Sequence, residues 1–273
     1  MEIRLIAFDL DGTLLDDHKK VSERSLRALE AAVKKGVILV PATGRIRNAI
    51  PKAVMDLPLV RYLITLNGAV VWDLEKEERI YQKIFSKEQS LALWDYITQF
   101  DAMCDIYEDG QGYMEPGNLA MLEKYVHFPE MIQLVRDTRK VIPSIREYLV
   151  RLDNGVEKFN MYFEDRELQA RVKEELKRFS YLKATTSVIN NIELNHVEAD
   201  KGRGLTALCE YLGISKEQVM AFGDGDNDIA MLTAAGCGVA MKNAEPSVKE
   251  QADRIAESNN EDGLARMIEE YIL

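Results

Sequence analysis

Two short, continuously apolar runs that each end in small polar residues constrain this chain more than any other feature. Leu5-Ile6-Ala7-Phe8 leads into Asp9-Leu10-Asp11-Gly12-Thr13, and Val37-Ile38-Leu39-Val40 leads into Pro41-Ala42-Thr43-Gly44-Arg45. Four apolar residues without alternation read as a strand buried on both faces, the condition met in a parallel sheet. Between the runs, Leu26, Leu29, Ala32 and Val33 recur at spacings of three and four, with Ser22 as an N-cap and Gly36 as a stop. That pattern predicts a helix, and strand, helix and strand so close together form a right-handed βαβ unit. A further helix is expected from Arg45 to Met55. Thr43-Gly44 would then stand at a helix N-terminus, where backbone amides attract phosphate.

A third apolar run, Tyr62-Leu63-Ile64-Thr65-Leu66, ends in Asn67-Gly68 and is followed by an alternation over 69–72 and 80–84 that predicts a hairpin. The texture then changes. Amphipathic stretches over 88–100 and 165–179 flank the strand-like Lys158-Phe159-Asn160-Met161-Tyr162-Phe163, which predicts a separate α+β unit with one solvated sheet face. Within it, Tyr107-Glu108-Asp109-Gly110 and Tyr113 read either as a substrate-pocket lining or as a hairpin turn with packing aromatics. The parallel pattern resumes with a helix over 201–212, stopped by Gly213, and the strand Val219-Met220-Ala221-Phe222. That strand ends in Gly223-Asp224-Gly225-Asp226-Asn227-Asp228. The expected fold is therefore α/β: a doubly wound, three-layer, parallel-sheet core made of residues 1–84 and 193–273, with an α+β domain inserted at 85–192.

With 273 residues and 47% apolar content, the chain can bury a sizeable core. A formal charge of −11 argues against a general affinity for nucleic acid or anionic membrane, which reward clustered Lys and Arg. Cys104, Cys209 and Cys237 are scattered and have no metal-ligand spacing, so free thiols in a reducing cytoplasm are expected. No leader and no apolar segment of membrane-spanning length is evident, and a soluble cytoplasmic protein is expected. His18, His127 and His196 fall in no triad or metal pattern and read as structural or exposed.

The chemistry concentrates at strand ends. Asp9 and Asp11, two residues apart, can face one ligand, and two ionised carboxylates need a counter-charge. Mg²⁺ would supply it, being a hard cation held by one or two carboxylates together with substrate phosphate. Thr43-Gly44, Lys201 and the acidic stretch 223–228 join the same presumed sheet edge. The acidic stretch follows a strand and lacks the distant Glu of an EF-hand loop.

In these motifs, with Asn67-Gly68-Ala69 and Lys201-Gly202, the chain resembles the haloacid-dehalogenase-like (HAD) superfamily of phosphohydrolases, specifically its Cof-type branch with a large inserted cap. The resemblance covers almost the whole length and is weak only within the cap. It implies a Rossmann-like core, an inserted cap that excludes water and reads the leaving group, and hydrolysis of small phosphomonoesters, with sugar phosphates as the substrate class. Asp9 is the nucleophile candidate, and Asp11 the acid/base candidate with its side chain left free. Asp224 would complete a Mg²⁺ site with Asp9 and the Asp11 carbonyl, with Asp228 behind it or bound through water. Lys201, the Thr43 hydroxyl and the amides near Leu10, Thr43 and Gly44 would hold phosphate, with Arg45 as an additional cation. The resemblance adds the Asn227 side chain to that set, while Asp226 is expected to face solvent. Rival readings are a phosphomutase and a non-catalytic sugar-phosphate sensor. The expected partner is a small phosphorylated substrate, with no nucleic acid and no membrane, for a monomer or weak homo-oligomer.

Overall fold

In the computed structural model, which describes residues 2–57, 60–186 and 188–273, the apolar runs become adjacent strands. Five strands pair in the order Arg254–Ala256, Cys237–Met241, Val219–Gly223, Leu5–Phe8, Ile38–Pro41, and every pairing is parallel. Side chains alternate across such a sheet. Leu5 and Ala7 join Val40, Ala221 and Ala240 in one apolar cluster, with Leu205 and Leu208 from helix Lys201–Leu212 and Met231 and Leu232 from helix Ile229–Ala234. Ile6, Phe8 and Phe222 are equally buried and alternate to the opposite face. Helix Glu23–Lys34, which packs against helix Gly263–Tyr271, is capped by Ser22 accepting from the Ser25 amide. The result is the doubly wound three-layer α/β sheet that the continuous apolar runs require.

The chain proceeds outward from Leu5–Phe8 in one direction and from Val219–Gly223 in the other, so the strand order reverses between these two neighbours. Open α/β sheets bind ligands at the carboxyl ends of strands at such a reversal. Asp9 follows the first of these strands directly, and Asp224 follows the second.

Tyr62–Thr65, Val70–Asp73 and Glu78–Gln82 form a three-stranded antiparallel sheet. A single parallel bridge between Ala42 and Ile64 joins it to the main sheet. The turn Leu66–Gly68 places Asn67 and Gly68 at positive φ, 56° and 91°. A Cβ on Gly68 would overlap the carbonyl of Asp200, so glycine lets this turn lie against the start of helix Lys201–Leu212. The helix expected from Arg45 to Met55 does not form as one element. A 3-10 turn, Arg47–Ala49, and a one-turn helix, Lys52–Met55, flank Pro51, which has no N–H to donate and cannot continue a helix through its position.

The contacts divide the chain into two units: Met1–Arg45, Ile50–Gln82 and Ala199–Leu273 in the first, Ile46–Ala49 and Lys83–Glu198 in the second. The division falls at 82/83 and 198/199 rather than at the expected 84/85 and 192/193. The reason is that strand Asn191–His196 pairs along its length with Lys158–Tyr162 and Leu182–Thr185 inside the second unit.

That unit is built on a six-stranded sheet in the order Leu182–Thr185, Asn191–His196, Lys158–Tyr162, Met103–Glu108, Gln111–Met114, Arg139–Val141. Helices Lys87–Ile97, Ile145–Arg151 and Arg166–Glu175 contribute to an apolar cluster with Ile106, Phe159, Met161 and Leu194 from the sheet. The opposite face was expected to be solvated. Instead Asp105, Lys158, Asn160 and Asn195 on that face are buried, with Asp105 paired to Arg139, Lys158 to Glu193, and Asn160 accepting from Asn191 at 3.3 Å. Tyr107 to Gly110 ends a strand and turns into Gln111–Met114, with Asp109 and Gly110 at φ 51° and 68°, and Tyr113 packs on Tyr148 at 4.8 Å. The hairpin reading of this segment therefore holds. The three cysteines are buried free thiols, and no helix among the described residues is long and apolar enough to cross a membrane.

Candidate active site

Hydrogen bonding between the two central strands sets the site. The Asp9 amide donates to the Phe222 carbonyl at 3.0 Å, which extends the pairing one residue past Leu5–Phe8 and brings Asp9 beside the 223–228 stretch. Carboxylate oxygens of Asp9, Asp224 and Asp228 lie within 4.8 Å of one another. Lys201, the first residue of its helix, extends from the Asp200 N-cap, and its ammonium is fully buried between two of these carboxylates. It donates to Asp9 Oδ1 at 2.5 Å and to Asp228 Oδ1 at 2.6 Å. Burial opposes a charge on Lys201, but Asp228 and Asp9 outweigh it and hold the ammonium above its usual range.

One cation among three carboxylates leaves an excess of negative charge. Burial pushes Asp9 up to about 7, with Lys201 pulling it down and Asp228 and Asp224 pushing it further up. Burial likewise raises Asp224 to about 6, opposed by a hydrogen bond from Thr13 and reinforced by Asp228. Such a set of hard oxygen donors with uncompensated charge fits a divalent cation.

The members of the acidic stretch differ in surroundings. Asp228 is buried and has both oxygens engaged, Oδ1 by Lys201 and Oδ2 by the amides of Asp224 and Gly225, each at 3.0 Å. Its carboxylate thus holds the loop that carries Asp224. Thr13 donates to Asp224 Oδ1 at 2.8 Å, so its hydroxyl tethers the opposite strand end rather than its own turn. Gly12 has φ +89°, and a Cβ there would overlap the Asp224 carboxylate. Asp226 is exposed and accepts from the Ser247 hydroxyl at 2.9 Å, away from the carboxylate cluster.

Asp11 departs from expectation. Its side chain is not free: Arg45 donates from Nε to Oδ2 and from Nη2 to Oδ1, both at 2.8 Å, and Lys19 Nζ lies 2.8 Å from Oδ1. Burial raises Asp11, but these two cations outweigh it and hold the carboxyl near 2. Asp9 and Asp11 therefore share a strand end but not a set of partners, and Asp11 is absent from the carboxylate cluster.

Thr43 is buried, and its hydroxyl accepts from the Arg45 amide at 3.1 Å. Its own amide donates to the Ile64 carbonyl at 2.9 Å, so the expected Thr43 amide contact to phosphate is already spent on the sheet bridge. With no continuous helix after Arg45, the expected helix-end contribution at Thr43-Gly44 is also lacking. Gly44 lies against Asn67, whose Oδ1 a Cβ would approach to 2.8 Å. Asn227 donates to that same Asn67 Oδ1 at 2.9 Å, and the Asn67 amide donates to the Thr43 carbonyl at 3.0 Å. Asn67 thus links Thr43-Gly44 to the acidic loop. Its sequence signal was the Asn-Gly pair after a strand, which marks a left-handed turn without assigning a role. Lys19 gave no signal at all. It stands in a loop where Asp16 accepts from the amides of His18 and Lys20, and its φ is 60°.

A model of the haloacid dehalogenase-like hydrolases matches residues 6–268. The chain belongs to that family. It falls in the Cof-type branch and is a phosphatase, a phosphoric monoester hydrolase. It is 34% identical over 273 residues to the 5-amino-6-(5-phospho-D-ribitylamino)uracil phosphatase YcsE of Bacillus subtilis, covering 100% of this chain and 97% of that one. The pyridoxal phosphate phosphatase YbhA of Escherichia coli is 30% identical over 277 residues, with 100% of both chains covered. A crystal structure of a haloacid dehalogenase-like hydrolase from Bacteroides thetaiotaomicron matches with a TM-score of 0.84 at 28% identity, over 98% of this chain and 99% of that one.

Proposed function

We propose that this phosphatase is Mg²⁺-dependent and hydrolyses small phosphomonoesters, sugar and sugar-alcohol phosphates among them, through an aspartyl-phosphate on Asp9. The observation that carries the reading is the buried Lys201 ammonium between Asp9 and Asp228, with Asp224 beside them. The relatives' names support the substrate class: one acts on a phosphorylated ribityl compound and another on pyridoxal phosphate.

Asp9, Asp224 and the Asp11 carbonyl would hold Mg²⁺, with Asp228 orienting the loop behind them. When bound, the ion screens nucleophile from phosphate and stabilises charge in the transition state. Lys201 keeps Asp9 oriented and favours its ionised form. A carboxylate oxygen of Asp9 attacks phosphorus, and the bond from phosphorus to the leaving oxygen breaks. Asp11 gives that oxygen its proton, then takes one from the water that attacks phosphorus as the bond to Asp9 breaks. Free phosphate and regenerated Asp9 result.

Asp11 can carry a proton only once its cations loosen. A phosphate dianion entering beside Arg45 offers the guanidinium a second bidentate acceptor and frees Asp11 for proton transfer. The Thr43 hydroxyl, the amides of Leu10 and Gly44, and the Asn227 side chain complete the phosphate contacts. Residues 83–198 serve as the cap that selects the leaving group.

Asp9→Asn should abolish Mg²⁺-dependent release of p-nitrophenol from p-nitrophenyl phosphate while circular dichroism and the thermal midpoint show an intact fold. Turnover retained in a folded Asp9→Asn protein would overturn the nucleophile assignment.

A further inference from the structure

Lys19 has a backbone conformation unusual for its type. Its φ is 60°, in the left-handed region that residues other than glycine, asparagine and aspartate seldom adopt. Such a conformation persists where the surrounding structure over-determines it, and the loop around Lys19 does so. The Asp16 amide donates to the Lys20 carbonyl and the Lys19 amide to the Asp16 carbonyl, each at 2.9 Å. Asp16 Oδ1 accepts from the amides of His18 and Lys20 at 2.9 and 2.8 Å. The residues on both sides of Lys19 are thus pinned to one carboxylate.

The loop is in turn fastened to the last third of the chain, within the same unit. Asn260 exchanges two bonds with Asp17, accepting from its amide at 3.1 Å and donating to Oδ2 at 2.9 Å. Asn259 donates to the Leu15 carbonyl at 3.0 Å and to Asp17 Oδ1 at 3.3 Å. The lysine stem therefore leaves the backbone from a fixed point. An exposed ion pair is ordinarily weak, in part because two long side chains must be held in one geometry. Here Asp11 is short, and the anchored loop supplies part of the remaining constraint.

The two cations on Asp11 are not equivalent. Lys19 Nζ lies 2.8 Å from Oδ1, whereas Arg45 covers both oxygens, Oδ1 through Nη2 and Oδ2 through Nε. A guanidinium fork matches phosphate with two parallel bonds, and an ammonium acts as a point charge. An entering phosphate therefore draws Arg45 away and leaves one ammonium on one carboxylate oxygen.

We propose that Lys19 is a positioning residue for the reaction: it anchors Asp11 Oδ1 while Arg45 turns to the substrate, so that Oδ2 is the oxygen that passes a proton to the leaving group. The inference rests on the proposed role of Asp11 as acid and base. Without Lys19 the carboxyl turns about its side-chain bonds once Arg45 has left, and a misplaced reacting group costs rate. That cost falls on esters whose leaving oxygen needs a proton. An aryl oxide stable enough to depart as the anion escapes it.

The test uses the full chain with ribitol 5-phosphate, an alkyl ester, and p-nitrophenyl phosphate, and reads the ratio of their kcat/KM values. In Lys19→Met the ratio should fall by about tenfold or more. Lys19→Arg, which keeps a cation, should restore it, and Lys34→Met, which removes an exposed helical lysine of the same unit, should leave it as in wild type. An unchanged or raised ratio in folded Lys19→Met, loss of both activities by the same factor, or a ratio as low in Lys19→Arg as in Lys19→Met overturns the proposal. If the wild-type chain hydrolyses neither ester, the phosphatase reading fails separately. Wherever the alkyl ester is not turned over, the hold of Lys19 on Asp11 is decided by NMR of protein labelled with 13C at the lysine Cε. The Lys19 resonance, assigned by its absence from Lys19→Met, should move in Asp11→Asn, and an unmoved resonance overturns the proposal.

Discussion

Replacing Lys201 by Met tests the electrostatic frame of the site most directly. Methionine keeps most of the unbranched stem and its packing while deleting the ammonium. Lys201 is 0% exposed and bonds two carboxylates at 2.5 and 2.6 Å. Breaking a buried ion pair by removing one partner costs about 3–5 kcal/mol, because the other charge remains buried and uncompensated. Here two carboxylates lose their cation with a third nearby, so a loss of about 4 kcal/mol is expected at pH 8.5 without metal. The penalty must shrink in acid. Asp9 already sits near 7 with Lys201 in place, and without it the carboxyl binds a proton more readily, so at pH 5.5 the loss should be roughly half or less. The two tryptophans make the assay local, since Trp72 lies in the first unit and Trp94 in the second. In a Trp94→Phe background, urea unfolding followed by Trp72 fluorescence should show a midpoint lowered by on the order of 1.5 M at pH 8.5. A loss below about 1 kcal/mol at pH 8.5, or the same loss at both pH values, would refute the argument that Lys201 offsets the carboxylate cluster.

Two further outcomes follow from the same cluster. Asp9 and Asp224 have folded-state values near 7 and 6, above the ordinary 3.8, so between about pH 4 and pH 7 the folded chain binds more protons than the unfolded one and stability must fall as pH rises. The metal-free midpoint should therefore decline from pH 4.5 to 7.5, and the gain from added Mg²⁺ should grow over that interval; a flat or rising metal-free midpoint contradicts it. Gly12→Ala places a Cβ on the Asp224 carboxylate at a φ that disfavours it, at a cost of about 1–3 kcal/mol. Its clearest readout is the thermal shift produced by Mg²⁺, expected to be lost even where the variant stays folded.

What could be read from the sequence was what periodicity and strand-end chemistry determine. The apolar runs at 5–8, 37–40 and 219–222 gave the parallel sheet because continuous burial has few other solutions, and each polar cluster followed its strand. The pairing of the cations was harder to read. Lys201 stands out only through family resemblance, and its pairing spans 192 residues to Asp9. Arg45 was legible as a cation near phosphate, but its hold on Asp11 depends on the turn after Ile38–Pro41, whose expected helix Pro51 interrupts. Lys19 reaches Asp11 through a local loop with no apolar pattern. On the second sheet, alternation correctly separates polar from apolar residues, yet it carries no information on whether a polar face meets water. The burial of Asp105 and Asn195 was therefore invisible.

The two aspartates of the first motif look alike in sequence and end in opposite electrostatic settings. Asp9 belongs to a group of three carboxylates and one cation, whereas Asp11 is a single carboxylate between Arg45 and Lys19. Together the site holds four carboxylates against three cations, one negative charge over, within a chain whose formal charge is −11. A phosphate dianion has no electrostatic reason to enter such a site. With a divalent cation bound among Asp9, Asp224 and the Asp11 carbonyl, the local balance becomes one positive charge over. Arg45 is then the cation that can turn from Asp11 to the substrate without exposing a buried charge, since Lys201 is fully enclosed and Arg45 is not. On this argument a bound metal ion would do more than screen the nucleophile. It would reverse the sign of the site, and that would set an order in which cation precedes phosphate and phosphate precedes the release of Asp11 for proton transfer.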